Sequence, residues 1–262
     1  MPAQNYVQSA CAQGRALSEV TLSPRIIAEW YARTAAEYTS ATITQELVLW
    51  MMVIGAPPDL IDDGLVIVQD ELVHSRMSYD VYCATGGTTP PAIDRAGLGL
   101  TRQHDAVELD VLAAAVRVFC LGETVAVPLF SHLREHCTEP LPRAALDRIL
   151  RDEVRHREFG WDLLDYLGTT SIAPLIAPWL RNELPAMFVD VLRSYGTLNK
   201  TIAADDGQIT QSERAWGLAA PQDYAAILNR TLERDYLPRF AAREIDALPA
   251  WHAAMALATT HA

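Results

Sequence analysis

The sequence predicts an all-α protein: two long helical hairpins joined by one long crossover, with further helices after them. Three observations carry this. Apolar residues recur at helical rather than alternating intervals over long segments, Gly and Pro cluster at only a few places, and the connection between the two hairpins is unusually long.

The first helix runs from about Pro24 to Ile54, with Ile26, Ile27, Trp30, Ala41, Val48 and Met52 at helical spacing, and it meets Gly55-Ala56-Pro57-Pro58. A second, from about Asp59 to Cys83, ends at Gly86-Gly87 and completes a helical hairpin. Thr85 to Leu100 is rich in Gly, Thr and Pro and suits a crossover along a bundle. A third helix, from about Asp105 to Cys137, meets Glu139-Pro140-Leu141-Pro142, and a fourth runs from about Arg143 to Leu167. Two hairpins with one long crossover is one of the known ways to connect a four-helix bundle. From Gly168 onward more helix is expected: Pro174, Pro178 and Pro185 should break its first part into short or kinked pieces, and an amphipathic helix should span about Gln222 to Ile245, ending near Pro249. The chain is thus expected to be a single domain over 1–262, with the bundle at 25–167 and residues 168–262 packing on it.

Composition narrows the function classes. Across 262 residues, 33 acidic against 21 basic side chains give a formal charge of −12. Without a basic run, neither nucleic acid nor an anionic membrane surface is an expected partner. No stretch approaches roughly 18 consecutive apolar residues, and Met1 to Gly14 lacks the basic start and apolar core of a signal peptide. Cys11, Cys83, Cys120 and Cys137 show no C-x-x-C spacing, which argues against a thiolate zinc site and a disulfide framework and for a reducing cytoplasm.

Chemistry concentrates in one pattern. The second helix contains Asp70-Glu71-Leu72-Val73-His74 and the fourth Asp152-Glu153-Val154-Arg155-His156, so D-E-x-x-H occurs twice and Glu-x-x-His nowhere else. One such match is unremarkable; two, each preceded by Asp and on separate helices, are not. Residues three apart share a helix face, so each Glu-His pair can grip one ion, and oxygen with imidazole ligands suits iron or manganese. On the third helix Glu123 has Val116, Phe119, Cys120, Val127 and Phe130 on its own face; burying an unpaired carboxylate costs several kcal/mol, which a cation would offset. The first helix offers Glu37 and Glu46 on opposite sides. Glu123 and Glu153 are 30 residues apart, Glu37 and Glu71 34, and Glu46 and Glu71 25, which favours Glu37, as do the small Ser40, Ala41 and Thr44 on its face. His104, His132, His136, His252 and His261 are read as ordinary, and no side chain beyond the metal ligands is assigned a catalytic role.

The order Glu37, Glu71-x-x-His74, Glu123, Glu153-x-x-His156 resembles the ferritin-like di-iron carboxylate superfamily over about residues 25–167. More narrowly, Glu37-Tyr-Thr-Ser40 through Gly55-Ala-Pro-Pro58, with Leu121-Gly122-Glu123-Thr124 and the Asp152 motif, resembles a group of bacterial single-domain ferritin-like proteins. The resemblance implies Glu71 and Glu153 as bridging ligands, Glu37 with His74 on one ion, and Glu123 with His156 on the other. It implies that Asp70 and Asp152 each accept the distal N–H of the facing helix's histidine and so fix its tautomer. Pro128, five residues past Glu123, departs from the pattern and predicts a kink or bulge beside it.

The function implied is a non-haem di-iron, O2-dependent oxidase or oxygenase of specialised metabolism. It would act on a small organic molecule by hydroxylation, N-oxygenation, desaturation or oxidative cleavage. Its cofactor would be two iron ions, with manganese accepting the same ligands; its partners would be dioxygen, the small-molecule substrate and an electron donor such as a ferredoxin or reductase. The nearly 100 residues after the bundle are what a covered substrate pocket needs. A ferroxidase or iron-handling protein is the alternative, and a metal-free helical interaction protein a third reading, which leaves the inward acids unexplained.

Overall fold

A computed structural model describes residues 22–90, 92, 99–195 and 208–260, and all regular structure among them is helical. Helix α1 (Pro24–Val53) starts at Ser23, whose hydroxyl accepts the Arg25 N–H at 3.3 Å, with Pro24 preset for the first turn. It buries Ile26, Trp30, Leu47, Val48 and Met51 on one stripe. Gly55, at φ +72°, turns the chain into α2 (Pro58–Ala84), which packs along α1. The connection to the next helix lies partly against α1: Leu100 donates its N–H to Glu46 Oε2 at 2.6 Å and Ala92 donates to the Tyr31 hydroxyl at 2.8 Å.

Helix α3 (Val107–His136) is continuous but not uniform. Its middle, Ala115–Glu123, is π-helical, and regular α-helix resumes at Thr124. The irregularity expected at Pro128 therefore lies on its N-terminal side and ends on Glu123 itself, where the wider turn re-aims that side chain. Among the described residues α3 is also the one helix long and apolar enough to cross a membrane, and most of its apolar window is buried against the rest of the fold, as in a core helix. Helix α4 (Pro140–Leu167) returns alongside α3, while Arg143 caps the α3 terminus by donating to the carbonyls of Arg134 and Cys137, both at 2.9 Å. It also packs on α2.

The α3–α4 approach depends on Gly160. A Cβ there would run into Phe119 Cβ and stand 2.8 Å from the Cys120 backbone nitrogen, groups that cannot swing away. Gly160→Ala is expected to destabilise the fold by about 1–3 kcal/mol through overpacking, a drop of several degrees in Tm on thermal melting. An unchanged Tm would mean that the helices separate freely.

The C-terminal part corrects one expectation and bears out another. Ala173–Tyr195 is one helix, α5, despite Pro178 and Pro185 inside it. Each proline deprives a carbonyl four residues back of its partner, but Pro174 and Arg181 are exposed, where water can replace the lost bond. Next come α6 (Gln211–Ala215) and α7 (Pro221–Thr231), the latter running through a π segment, Leu232–Tyr236, into Leu237–Ala241. That helix ends at Ala241, close to the expected Ile245, and Pro249 lies in the first turn of α8 (Leu248–Thr260), where a missing N–H costs nothing. Tyr236 donates to the Leu121 carbonyl at 2.6 Å and Trp30 Nε1 to the Trp216 carbonyl at 3.0 Å, tying these helices to α3 and α1.

Cys83 is disulfide-bonded, whereas Cys120 and Cys137 are free and buried. One bond is less than the disulfide framework that the spacing argues against, but it removes support from a reducing compartment. Sequence spacing detects neighbours such as C-x-x-C, not cysteines that folding brings together. The partner of Cys83 lies outside the described residues.

Candidate metal centre

The helical stripes that form the core are interrupted at one level by acids. On α1, Glu37 follows Trp30 and precedes Ala41 and Thr44; on α2, Glu71 and His74 lie between Ile67 and Ser78; on α4, Glu153 and His156 lie between Ile149 and Gly160. Each therefore faces inward for the same reason as its apolar neighbours, the 3.6-residue period. Glu37 is 7% exposed and Glu71, His74, Glu153 and His156 no more than 2%. Glu123, the last residue of the π segment, is partly buried and completes the set.

These residues form two groups, Glu37, Glu71, His74 and Glu153, and Glu71, Glu123, Glu153 and His156. Within each, one ligand atom per residue lies within 4.8 Å of the others. Glu71 and Glu153 belong to both. Glu71 stands between the imidazoles, its Oε1 3.3 Å from His156 Nδ1 and its Oε2 3.6 Å from His74 Nδ1. Glu46, by contrast, is held away by Leu100, as its opposite side of the helix predicts.

The outer imidazole nitrogens are taken by the two aspartates in a crossed arrangement. His74 Nε2 lies 3.1 Å from Asp152 Oδ2, and His156 Nε2 lies 3.5 Å from Asp70 Oδ2. With Nε2 as donor to a carboxylate, Nδ1 keeps its lone pair, and both Nδ1 atoms point at the acids. Three arginines that the sequence reading did not single out hold the aspartates. Arg148 bonds both Asp70 and Asp152, Arg155 bonds Asp70, and Arg151 donates to Asp152 at 3.1 Å. Their signal was present, since Arg148 and Arg155 lie four before and three after Asp152, on its own helix face. Ser40, besides being small, donates its hydroxyl to Glu71 Oε1 at 3.0 Å and orients that carboxylate.

Charge tests whether these residues fit a metal. Burial, then repulsion from Glu71, drives Glu37 well above the ordinary carboxylate range; burial, then Glu123, does the same to Glu153, and burial also raises Glu123. Glu71 runs the other way: against the cost of burial, the two imidazoles hold it well below. His156, although burial opposes its charge, is raised to about 9 by Asp70 and Glu71. Four acids at this spacing ionise together only around cations. Four buried atoms without a hydrogen-bond partner, Glu71 Oε2, Glu153 Oε2 and Nδ1 of His74 and His156, are those a metal would take, and their oxygen and imidazole chemistry suits a transition metal. The buried groups can hold metal ions.

Two cavities adjoin the cluster, of about 320 Å³ and 790 Å³. They share Ala36, Ser40, Glu123, Ser194 and Tyr195 as walls. Ser194 and Tyr195 come from α5 and Tyr224, in the smaller cavity, from α7, so the C-terminal helices roof the acids.

A separate group, His132, Glu135 and His136, stands at the exposed end of α3 and also has metal-ligand spacing. The reading of His132 and His136 as ordinary overlooked Glu135 between them. His104 lies 2.8 Å from Asp110 and His261 lies outside the described residues.

No family model, no curated protein and no solved structure matches the chain.

Proposed function

We propose that the chain is a ferritin-like four-helix protein carrying two iron ions, and that it oxidises a small organic substrate with dioxygen. The observation that carries this reading is the pair of ligand groups sharing Glu71 and Glu153, with unpartnered Nδ1 and Oε2 atoms converging beside a roofed cavity. Glu37 and His74 would hold one ion, Glu123 and His156 the other, and Glu71 and Glu153 both. A bound ferrous pair supplies the electrons that reduce dioxygen, and a ferredoxin or reductase is the class of donor that restores them. This chain's residues do the rest: Asp70 and Asp152 keep the Nδ1 lone pairs inward, Ser40 orients Glu71, and Tyr195 and Tyr224 screen the acids from water. The roofed cavity favours substrate oxidation over iron storage, which needs no room for an organic molecule.

Metal analysis of the purified chain, with an absorption spectrum after exposure to oxygen and a particle-size measurement, tests the reading. About two irons per chain, one for each ligand group, in a particle too small for a shell is the expected result. Manganese in their place would change the metal and not the site; a shell-sized particle would favour ferroxidase activity, and no bound metal would remove both.

Two predictions arise here. Glu37→Ala is expected to lower metal content, while Glu46→Ala keeps it and loses only its bond to Leu100; the opposite outcome would overturn the α1 register. Asp152→Ala is expected to weaken metal binding roughly ten- to hundredfold, as the loss of a partner behind a ligand usually does. A metal titration indistinguishable from the parent's would make Asp152 a partner of the arginines only.

A further inference from the structure

The smaller cavity is lined by one arginine that belongs to neither ligand group. Arg33, one helical turn before Glu37, is 8% exposed and lines the cavity. Its guanidinium lies against the Trp30 ring at 4.4 Å and near the Phe130 ring at 5.6 Å, and its NH2 donates to Glu29 Oε1 at 2.8 Å. NH1, equally buried, has no hydrogen-bond partner. The two rings and Glu29 fix the plane of the guanidinium and leave one edge unsatisfied, in a cavity that the acid cluster also lines.

We propose that Arg33 anchors the carboxylate of the substrate, so that the substrate is a small monocarboxylic acid with an apolar body. This rests on the metal reading above for its orientation and deepens it. Arg33 is the only Lys or Arg among the described residues lining this cavity, which suits a single negative charge better than a phosphate dianion. Phe130, Leu129, Leu133 and Ala126 line the same cavity and give the body of the molecule an apolar wall to lie against. A volume of about 320 Å³ is at the small end of ligand sites, which suits a small molecule. Four residues along a helix advance about 6 Å. The carboxylate therefore binds one turn away from Glu37, and the end presented to the metal ligands is the end remote from the carboxylate.

Isothermal titration of the metal-loaded protein with 4-phenylbutyrate and with octanoate, each beside its uncharged amide, tests this. At least one acid is expected to bind saturably, with its amide weaker by roughly tenfold or more and Arg33→Gln weakening the acid roughly ten- to hundredfold. Arg33→Gln should leave the metal content unchanged. The proposal is overturned if neither acid binds, if the amides bind as tightly as the acids, or if Arg33→Gln binds the acid as the parent does. Should that variant not fold, Arg33→Lys, which keeps the charge but loses the planar fork, and the acid-amide comparison on the parent chain decide the matter. Metal analysis of the same samples separates the two readings. Arg33-dependent acid binding by a chain that takes up no metal keeps the anchor and removes the di-iron site, and a fully loaded chain without such binding does the reverse.

Discussion

His74→Ala and His156→Ala are each expected to reduce bound metal from about two ions per chain to about one, and to abolish oxygen consumption, because each histidine belongs to only one of the two ligand groups. The loss should not be a folding failure. When the His74 imidazole goes, Asp152 still has Arg148 and Arg151; when that of His156 goes, Asp70 keeps Arg148 and Arg155. Neither aspartate is left as a buried, unpaired charge, the outcome that makes breaking an ion pair so costly. What each variant does lose is a wholly buried side chain, and the space left behind costs some stability. Metal analysis beside circular dichroism would separate these effects. A folded variant with full metal and full oxygen consumption would remove that histidine from the site.

How much of this could be read in the sequence follows from what periodicity can and cannot encode. Glu153 was legible as inward because Ile149 and Leu150 precede it and Leu163 and Leu164 follow, and an apolar stripe tells a carboxylate's direction whatever it binds. Glu37 was separable from Glu46 because nine residues put them on opposite faces. The pairing of Asp152 with His74, two residues 78 apart in sequence, came from resemblance, since no local pattern contains the meeting of two helices. Pro128 announced an irregularity but not its extent, because the π segment depends on how α3 packs against α4 as well as on the missing N–H. The prolines of α5 misled for the converse reason: whether a lost hydrogen bond breaks a helix depends on whether water reaches the orphaned carbonyl, and exposure is a tertiary property. Arg33 could not be singled out from sequence, because an arginine four residues from a glutamate on a helix reads as an ordinary surface pair with Glu29 or Glu37. Only its burial and its partnerless NH1 distinguish it.

Glu71→Gln is expected to have a larger effect than any single histidine change, because its two oxygens stand beside the Nδ1 atoms of both histidines and it belongs to both ligand groups. An amide keeps the shape and can still accept the Ser40 hydroxyl on its oxygen, so the side chain need not leave its place. It removes the negative charge and one of the two donor oxygens. Both ions should be lost together, where His74→Ala or His156→Ala loses one. The stability of the fold supplies a second, independent readout. A ligand bound only by the folded chain raises stability by about 2.7 kcal/mol at a hundred times its Kd, so adding ferrous ion without oxygen should raise the Tm of the parent chain by several degrees. The same addition should leave Glu71→Gln nearly unmoved. The metal-free variant should be somewhat less stable than the metal-free parent, because the two imidazoles favour the Glu71 charge, and only part of that loss is offset by the repulsion relieved at Glu37, Glu123 and Glu153. A Glu71→Gln chain that binds one ion and gains half the thermal shift would place Glu71 on a single metal and leave Glu153 as the only shared carboxylate.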